Sequence, residues 1–197
     1  MKKITIFILT LLLCVIPVEA KTPKQILILG KELPDMYILQ YDGNKRFKVK
    51  MISRKTAMPL TCLNQDKARF DELKLNETAI KCEVASLNKE MHLSIKNYIR
   101  LDMKNIAKDF HINLSDYNLH DFNSTLKIFQ IIGSNLNFNI ILNYKDYIKT
   151  DLSWNELYTL FKQYQNGPIS VSYEYPYLIW IPQKSSYYPL QSSFHSK

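Results

Sequence analysis

The fold is decided by residues 25 to 52, which read QILILGKELPDMYILQYDGNKRFKVKMI. Gln25–Leu29 is a continuous apolar run and predicts a buried strand. Met36–Tyr41 predicts a second strand, and Phe47–Ile52, in which apolar and basic residues alternate, predicts a third. The sequence DGN at residues 42–44 is typical of a tight turn. These residues therefore predict a strand followed by a hairpin, which together begin a sheet.

The rest of the chain alternates between helical and strand-like segments. The clearest local signal is a capping box, in which Ser153 and Glu156 bracket the first turn of a helix while Leu152 and Leu157 form a hydrophobic staple. There is no internal repeat and no long linker, so the order of elements predicts a single mixed α/β domain with a central β-sheet flanked by helices. The predicted helices are 80–91, 104–110, 121–135 and 153–165, and the further predicted strands are 98–103, 170–175 and 177–181.

The N-terminus has the features of a secretory signal peptide. Lys2 and Lys3 precede an apolar run, Ile4–Val18, that is shorter than the roughly 20 residues needed to span a bilayer. The sequence VEA at 18–20 places small residues at a cleavage site. We therefore expect a signal peptide at 1–20, a secreted or extracytoplasmic domain at 21–183 and a flexible tail at 184–197. An uncleaved N-terminal anchor is the alternative.

The charge of the chain indicates anionic partners. It has 26 Lys and Arg against 18 Asp and Glu, a net charge of +8. For an exported protein this favours lipid head groups at a membrane surface or phosphate-rich wall polymers. The basic residues are scattered and no nucleic-acid-binding motif is present, so we expect no nucleic-acid partner.

Two cysteines, Cys62 and Cys82, remain after cleavage of the signal peptide. Two cysteines in an exported chain predict one disulfide, and two free thiols are the alternative. The four histidines have no metal-ligand spacing with each other or with the cysteines, which argues against a zinc site.

Five short stretches follow one another along the chain: Glu32, LPDM at 33–36, ISRKT at 52–56, KLN at 74–76 and residues 95–102. Taken in this order, they resemble the LytR–CpsA–Psr family of cell-envelope phosphotransferases. Members open with an apolar strand ending in G-x-D, followed by R-S-D-T and P-R-D-T segments. Glu32 stands at the first acidic position, 33–36 (LPDM) corresponds to R-S-D-T, and 52–56 (ISRKT) contains the counterpart of P-R-D-T. Residues 74–76 match K-[IL]-N, and 95–102 fit a Y-V-x-V-D strand. The resemblance covers most of the mature chain.

The resemblance implies chemistry on polyprenyl-pyrophosphate-linked glycans. Such enzymes are thought to move a glycopolymer phosphate from a polyprenyl carrier onto peptidoglycan, which requires a divalent metal and cations on the phosphate oxygens. It implies that Glu32 and Asp35 hold Mg²⁺ and that Arg54 and Lys127 are catalytic. The alternative places Glu32 and Asp35 in a solvated turn and Arg54 on the surface at a strand end. The residues assigned to substrate binding are Arg54, Lys55 and Lys74.

The chain departs from the family pattern where arginines are expected. Leu33 and Pro34 stand in place of the first arginine, and Lys55 replaces an aspartate. The later arginine-rich helix corresponds to 123–130, NSTLKIFQ, which keeps one positive charge at Lys127. Since lysine cannot reproduce the guanidinium fork, we expect a degenerate member with weak or no activity that binds polyprenyl phosphate, polyprenyl pyrophosphate or wall polymer.

A different class of function is the alternative. The C-terminal tyrosines and Trp180 are also typical of a contact surface on a small secreted α/β binding or adhesion protein. The tyrosines concerned are Tyr173, Tyr175, Tyr177, Tyr187 and Tyr188.

Overall fold

A hairpin and a parallel strand pair form the centre of the molecule. The computed structural model describes residues 24–41, 47–135, 143–166 and 178–189. The strands in these ranges are β1 (Lys24–Gly30), β2 (Asp35–Tyr41), β3 (Phe47–Ser53), β4 (Ala57–Leu60), β5 (Gln65–Arg69), β6 (Ile95–Leu101), β7 (Ile148–Thr150), β8 (Leu178–Ile181) and β9 (Ser186–Pro189). The main sheet has five of them in the order β3-β2-β1-β6-β7. In this sheet β1 and β6 pair parallel, and the other neighbours pair antiparallel.

Both faces of this sheet are buried, each under a different layer. Because side chains alternate along a strand, β1 sends Ile26 to one apolar core and Leu27 to the other. The helices are α1 (Glu77–Glu90), α2 (Met103–Asp109), α3 (Phe122–Asn135) and α4 (Trp154–Asn166). The first core also contains buried residues of α2, α3 and α4, and the second contains residues of α1 and β4. The predicted single α/β domain with a central sheet and flanking helices is therefore confirmed.

The capping box predicted for the last helix is present. The Ser153 backbone N–H donates to Glu156 Oε2 at 3.0 Å, and the Glu156 N–H donates to Ser153 Oγ at 3.3 Å. Leu152 and Leu157 are both buried in the same core, as the staple requires. These contacts satisfy N–H groups at the start of α4 that have no partner within the helix.

The disulfide is also present. Cys62 and Cys82 are bonded, with their Cα atoms 5.8 Å apart. Cys62 lies in the short turn between β4 and β5, and Cys82 lies on α1. The bond therefore ties the β4–β5 hairpin to the helix that covers the same face of the sheet.

The structure differs from the sequence prediction mainly in short strands. β4, β5 and β7 were not predicted, and Ser186–Pro189 forms β9 although the flexible tail was expected from residue 184. The signal peptide, the DGN turn, the strand at 170–175 and residues 190–197 lie outside the described residues. Among the described residues, no helix combines the length and apolarity needed to cross a bilayer.

Candidate functional site

The candidate site lies at the edge of the sheet where β1 and β6 end. Gly30 and Leu101 are paired there, and a Cβ on Gly30 would come within 2.9 Å of the Leu101 carbonyl oxygen. Glu32 is the second residue after β1 and accepts a hydrogen bond from the Met103 N–H at 3.1 Å. Its carboxylate therefore lies at the positive N-terminus of α2, which favours a negative charge.

Asp35 begins β2 at the same edge. It pairs with Ser53, the last residue of β3, and is 7% exposed. Alternation along β2 places it on the face of Tyr37, towards the layer of α2, α3 and α4. Burial raises the pKa of Asp35, while the charge of His120 and a side-chain hydrogen bond with Ser53 lower it. Burial has the larger effect, so the pKa of Asp35 is raised overall. A cation bound beside Asp35 would oppose this rise and favour the ionised form.

Glu32 and Asp35 carry the type of ligand that binds magnesium. Both supply the carboxylate oxygens that Mg²⁺ prefers, and Mg²⁺ is commonly held by one or two carboxylates together with water and substrate phosphate. Among the described residues, no three His, Cys, Asp or Glu side chains form a group able to hold a metal. The remaining ligands of an ion at this edge would therefore come from water and phosphate oxygens.

Arg54 is not brought to this pair of carboxylates. Its Nη2 donates to the Phe70 carbonyl oxygen at 2.8 Å, and the residue is 7% exposed. Phe70 belongs to the core on the α1 side of the sheet. Arg54 is thus buried rather than at the surface, and its guanidinium contacts the layer opposite to Asp35.

The predicted lysines are spread over different elements. Lys127 is exposed on α3, within electrostatic reach of Asp121 at the start of that helix. Lys55 is exposed in the turn beside Arg54, and Lys74 is exposed just before α1. Of the predicted cations, Lys127 therefore lies on the helical layer that Asp35 faces.

An apolar cavity of about 100 Å³ adjoins the site, between the sheet and the layer of α2, α3 and α4. Met103, whose N–H binds Glu32, and Tyr37, on the face of Asp35, both contribute to its wall. The other walls are aliphatic and aromatic side chains of the sheet and helices, with Tyr144 before β7. The helical side chains are Ile106, Phe110, Leu126, Phe129, Ile132, Leu160 and Phe161.

Three residues near the predicted site were not found from the sequence. Ser53 and His120 act on Asp35, but they are far from it along the chain and have no motif in common with it. Glu83 is fully buried on α1, where its charge interacts with Arg54. The sequence did indicate that Glu83 is buried, because Glu83 stands three residues after Ile80 and thus on the apolar face of the predicted helix.

The fold is shared with structures from Bacillus subtilis. TagU has a TM-score of 0.61 at 10% identity, with 88% of this chain and 92% of TagU covered. The structure of TagT bound to LIIa-WTA has a TM-score of 0.58 at 9% identity, covering 86% and 84%. The transcriptional regulator yvhJ has a TM-score of 0.58 at 16% identity, covering 85% and 89%. No protein-family model and no curated protein matches the sequence.

These likenesses establish the fold. The chain has a divergent LytR–CpsA–Psr-like fold, which confirms the resemblance drawn from its motifs. The roles of individual site residues stay predictions.

Proposed function

We propose that this chain is an exported cell-envelope protein that binds polyprenyl phosphate or pyrophosphate, with weak or no phosphotransferase activity. The observation that carries the proposal is that one residue, Met103, joins an apolar cavity to the carboxylate of Glu32. Met103 lines the cavity with its side chain and binds Glu32 through its N–H. The lipid tail would occupy the cavity, and its phosphate would lie at the sheet edge.

The chemistry of the cavity supports an isoprenoid tail. The surface that lines it is apolar, so a hydrocarbon would be favoured over a polar ligand. The similarity in fold to TagT, whose structure was determined bound to LIIa-WTA, a wall teichoic acid precursor, supports a lipid-linked anionic partner.

Magnesium would join the carboxylates to the phosphate. Glu32 and Asp35 would hold the ion, and the ion would neutralise charge on phosphate oxygens. Lys127 is the exposed cation that we place on the phosphate from the side of α3. Lys55 and Lys74 would attract the polymer or the membrane surface as exposed charges.

Weak or absent activity is expected because few of the cationic side chains that could bind the phosphate oxygens remain. Removing one oxyanion donor from an enzyme costs roughly 2.7 to 4 kcal/mol in the transition state. Arg54 contacts the Phe70 carbonyl, and lysine does not replace the bidentate fork of arginine. We therefore propose binding without efficient transfer.

The binding proposal is tested by filling the cavity. Ile132 lines it from α3, whereas the adjacent Ile131 is 37% exposed on the same helix. We expect Ile132→Phe to weaken the binding of farnesyl phosphate at least tenfold in isothermal titration calorimetry, because the added ring occupies the space of the tail. Ile131→Phe is the matched control and should bind as the parent does. Equal affinity of both variants would place the ligand elsewhere.

The activity proposal is tested with a polyprenyl pyrophosphate and Mg²⁺. We expect little release of phosphate above the background rate. Clear turnover that disappears in both Asp35→Ala and Arg54→Ala would contradict weak activity, and would assign catalytic roles to those two residues.

A further inference from the structure

Glu83 is a buried carboxyl group that the proposed function does not use. It lies on α1 and is fully inaccessible to solvent. Within the described part of the chain, neither of its oxygens has a hydrogen-bond partner. Burial raises its pKa from 4.5 to about 8, and the nearby charge of Arg54 opposes that rise. A buried acid without hydrogen bonds is costly and calls for an explanation.

Arg54, in the turn after β3, carries the charge that acts on this acid. Its backbone is fixed at both ends, since its N–H donates to Pro34 O at 3.1 Å and its carbonyl accepts from the Asp71 N–H at 2.8 Å. Its guanidinium is bound less completely. Nη2 donates to Phe70 O, but among the described residues Nε has no partner.

The position of Arg54 in the chain gives its side chain a second destination. It directly follows Ser53, whose side chain bonds Asp35 at the candidate site. Since β3 ends at Ser53, Arg54 belongs to the turn that follows the strand rather than to one face of the sheet. We propose that Glu83 is a positioning residue which, with the Phe70 carbonyl, keeps Arg54 on the α1 side and away from the phosphate site.

This inference rests on the proposed phosphate site and adds an inhibitory interaction to it. Arg54 Nε and both Glu83 oxygens have no hydrogen-bond partner among the described residues, and a partly satisfied buried network is less favourable than a fully bonded one. A pyrophosphate at the sheet edge would offer Arg54 two charge-assisted hydrogen bonds in place of one bond to a carbonyl. Loss of the Glu83 charge would therefore shift Arg54 towards the phosphate.

Arg54 is the charged group that acts on Glu83. Of the elements packed on α1, β4 carries no titratable side chain, and Cys62 in the following turn is disulfide-bonded. On β6, Arg100 donates to Leu75 O and the charges of Glu77 and Lys81 act on Tyr98. The remaining charged residue of β6, Lys96, is exposed.

The test compares a ligand that has a head group with one that lacks it. Farnesyl pyrophosphate and farnesol are titrated into the full chain, Glu83→Gln, Arg54→Ala and the double variant, with Mg²⁺ constant and at pH 8.5. We expect Glu83→Gln to bind farnesyl pyrophosphate about tenfold more tightly, the lower end of what one charge-assisted hydrogen bond contributes. The double variant should lose this gain, because the gain comes through Arg54. Farnesol affinity should not change.

Controls separate positioning from a general effect on folding. Glu83→Asp keeps the charge and should retain the parent affinity, whereas Glu77→Gln removes an exposed charge on the same helix and should also have no effect. Unchanged affinity of Glu83→Gln for farnesyl pyrophosphate overturns the inference, as does a gain that persists without Arg54. If farnesol binds the parent but Glu83→Gln binds farnesyl pyrophosphate no more tightly than the parent does, the inference fails and the proposed lipid site stands.

Discussion

Asp35 combines burial with a position at the edge of the sheet, and this makes its charge sensitive to a cation. Its pKa is raised by burial, against the effects of His120 and Ser53. A bound Mg²⁺ would favour the ionised form and would stabilise the folded state by mass action. At ten times the dissociation constant this stabilisation is about 1.4 kcal/mol.

We therefore predict that Mg²⁺ raises the melting temperature of the parent chain and that Asp35→Asn abolishes the increase. The amide keeps the shape of the side chain but removes the negative charge that the ion requires. Thermal unfolding with Mg²⁺ and with EDTA measures the effect. Asp116→Asn, at an exposed carboxylate, is the control. An equal increase in Asp35→Asn would exclude Asp35 as a ligand.

Glu83 has a pH dependence of its own, with a definite sign. Its pKa is about 8 in the folded protein against 4.5 for the free side chain. Between these values the unfolded chain releases the proton and the folded chain keeps it, so the free energy of unfolding falls as the pH rises. Below this window the ionisation of Glu83 costs no stability, and above it the loss is on the order of 3 to 5 kcal/mol.

We predict that Glu83→Gln removes most of the loss of stability between pH 5 and pH 9. The neutral amide resembles the protonated acid, so the variant should match the parent at pH 5 and exceed it at pH 9. Urea unfolding at both pH values gives the free energies, and Glu77→Gln should keep the slope of the parent. If the free energy of unfolding of Glu83→Gln fell with pH as steeply as that of the parent, another group would have to titrate in this range.

The sequence could predict the two carboxylates at the site, but it could not predict to which face of the sheet the Arg54 side chain points. Glu32 and Asp35 follow a buried strand closely, so their place at its end was predictable from local pattern and resemblance. The direction of the Arg54 side chain depends on its hydrogen bond to Phe70 and on the charge of Glu83, and both residues are distant along the chain. A motif match assigns a position to a residue, whereas the face to which its side chain points depends on the tertiary packing.

At the level of elements, long periodic segments were predictable and short strands were not. The predicted helix 80–91 is observed as Glu77–Glu90, with Asn76 as its cap accepting from the Ala79 N–H at 2.8 Å. β7 is three residues long, and β5 is largely exposed, so neither shows the alternation that identifies a strand. Their pairing comes from the neighbouring elements rather than from their own composition.

The disulfide between the β4–β5 turn and α1 should contribute a large share of the stability of that layer. It closes a loop with a sequence separation of 20 residues, for which the chain-entropy model gives about 3 kcal/mol. We predict that the double variant Cys62→Ala, Cys82→Ala loses about this amount in urea unfolding. A reductant should destabilise the parent similarly and leave the variant unchanged. A reductant-insensitive parent would mean that the thiols are unpaired in the purified protein.

In the described part of the chain, the five-stranded sheet lies between two layers that differ in character. The α1 layer is tied by the disulfide and contains both Glu83 and the hydrogen bond from Arg54 to Phe70. The layer of α2, α3 and α4 encloses an apolar cavity of about 100 Å³. An engineered cavity of about 150 Å³ holds benzene, so a farnesyl tail requires this layer to move away from the sheet. Part of the binding energy is therefore consumed in opening it.

Two isoleucines on opposite layers allow this cost to be measured. Ile106 on α2 is 3% exposed and lines the cavity, while Ile80 on α1 is 1% exposed and lies in the other core. Each change to Ala should cost about 2 to 5 kcal/mol of stability. We predict that Ile106→Ala alone binds farnesol severalfold more tightly, because its cavity already contains space that the parent must open. Calorimetric titration of both variants measures this, and equal gains from both would mean that general loosening, rather than this cavity, controls access of the tail.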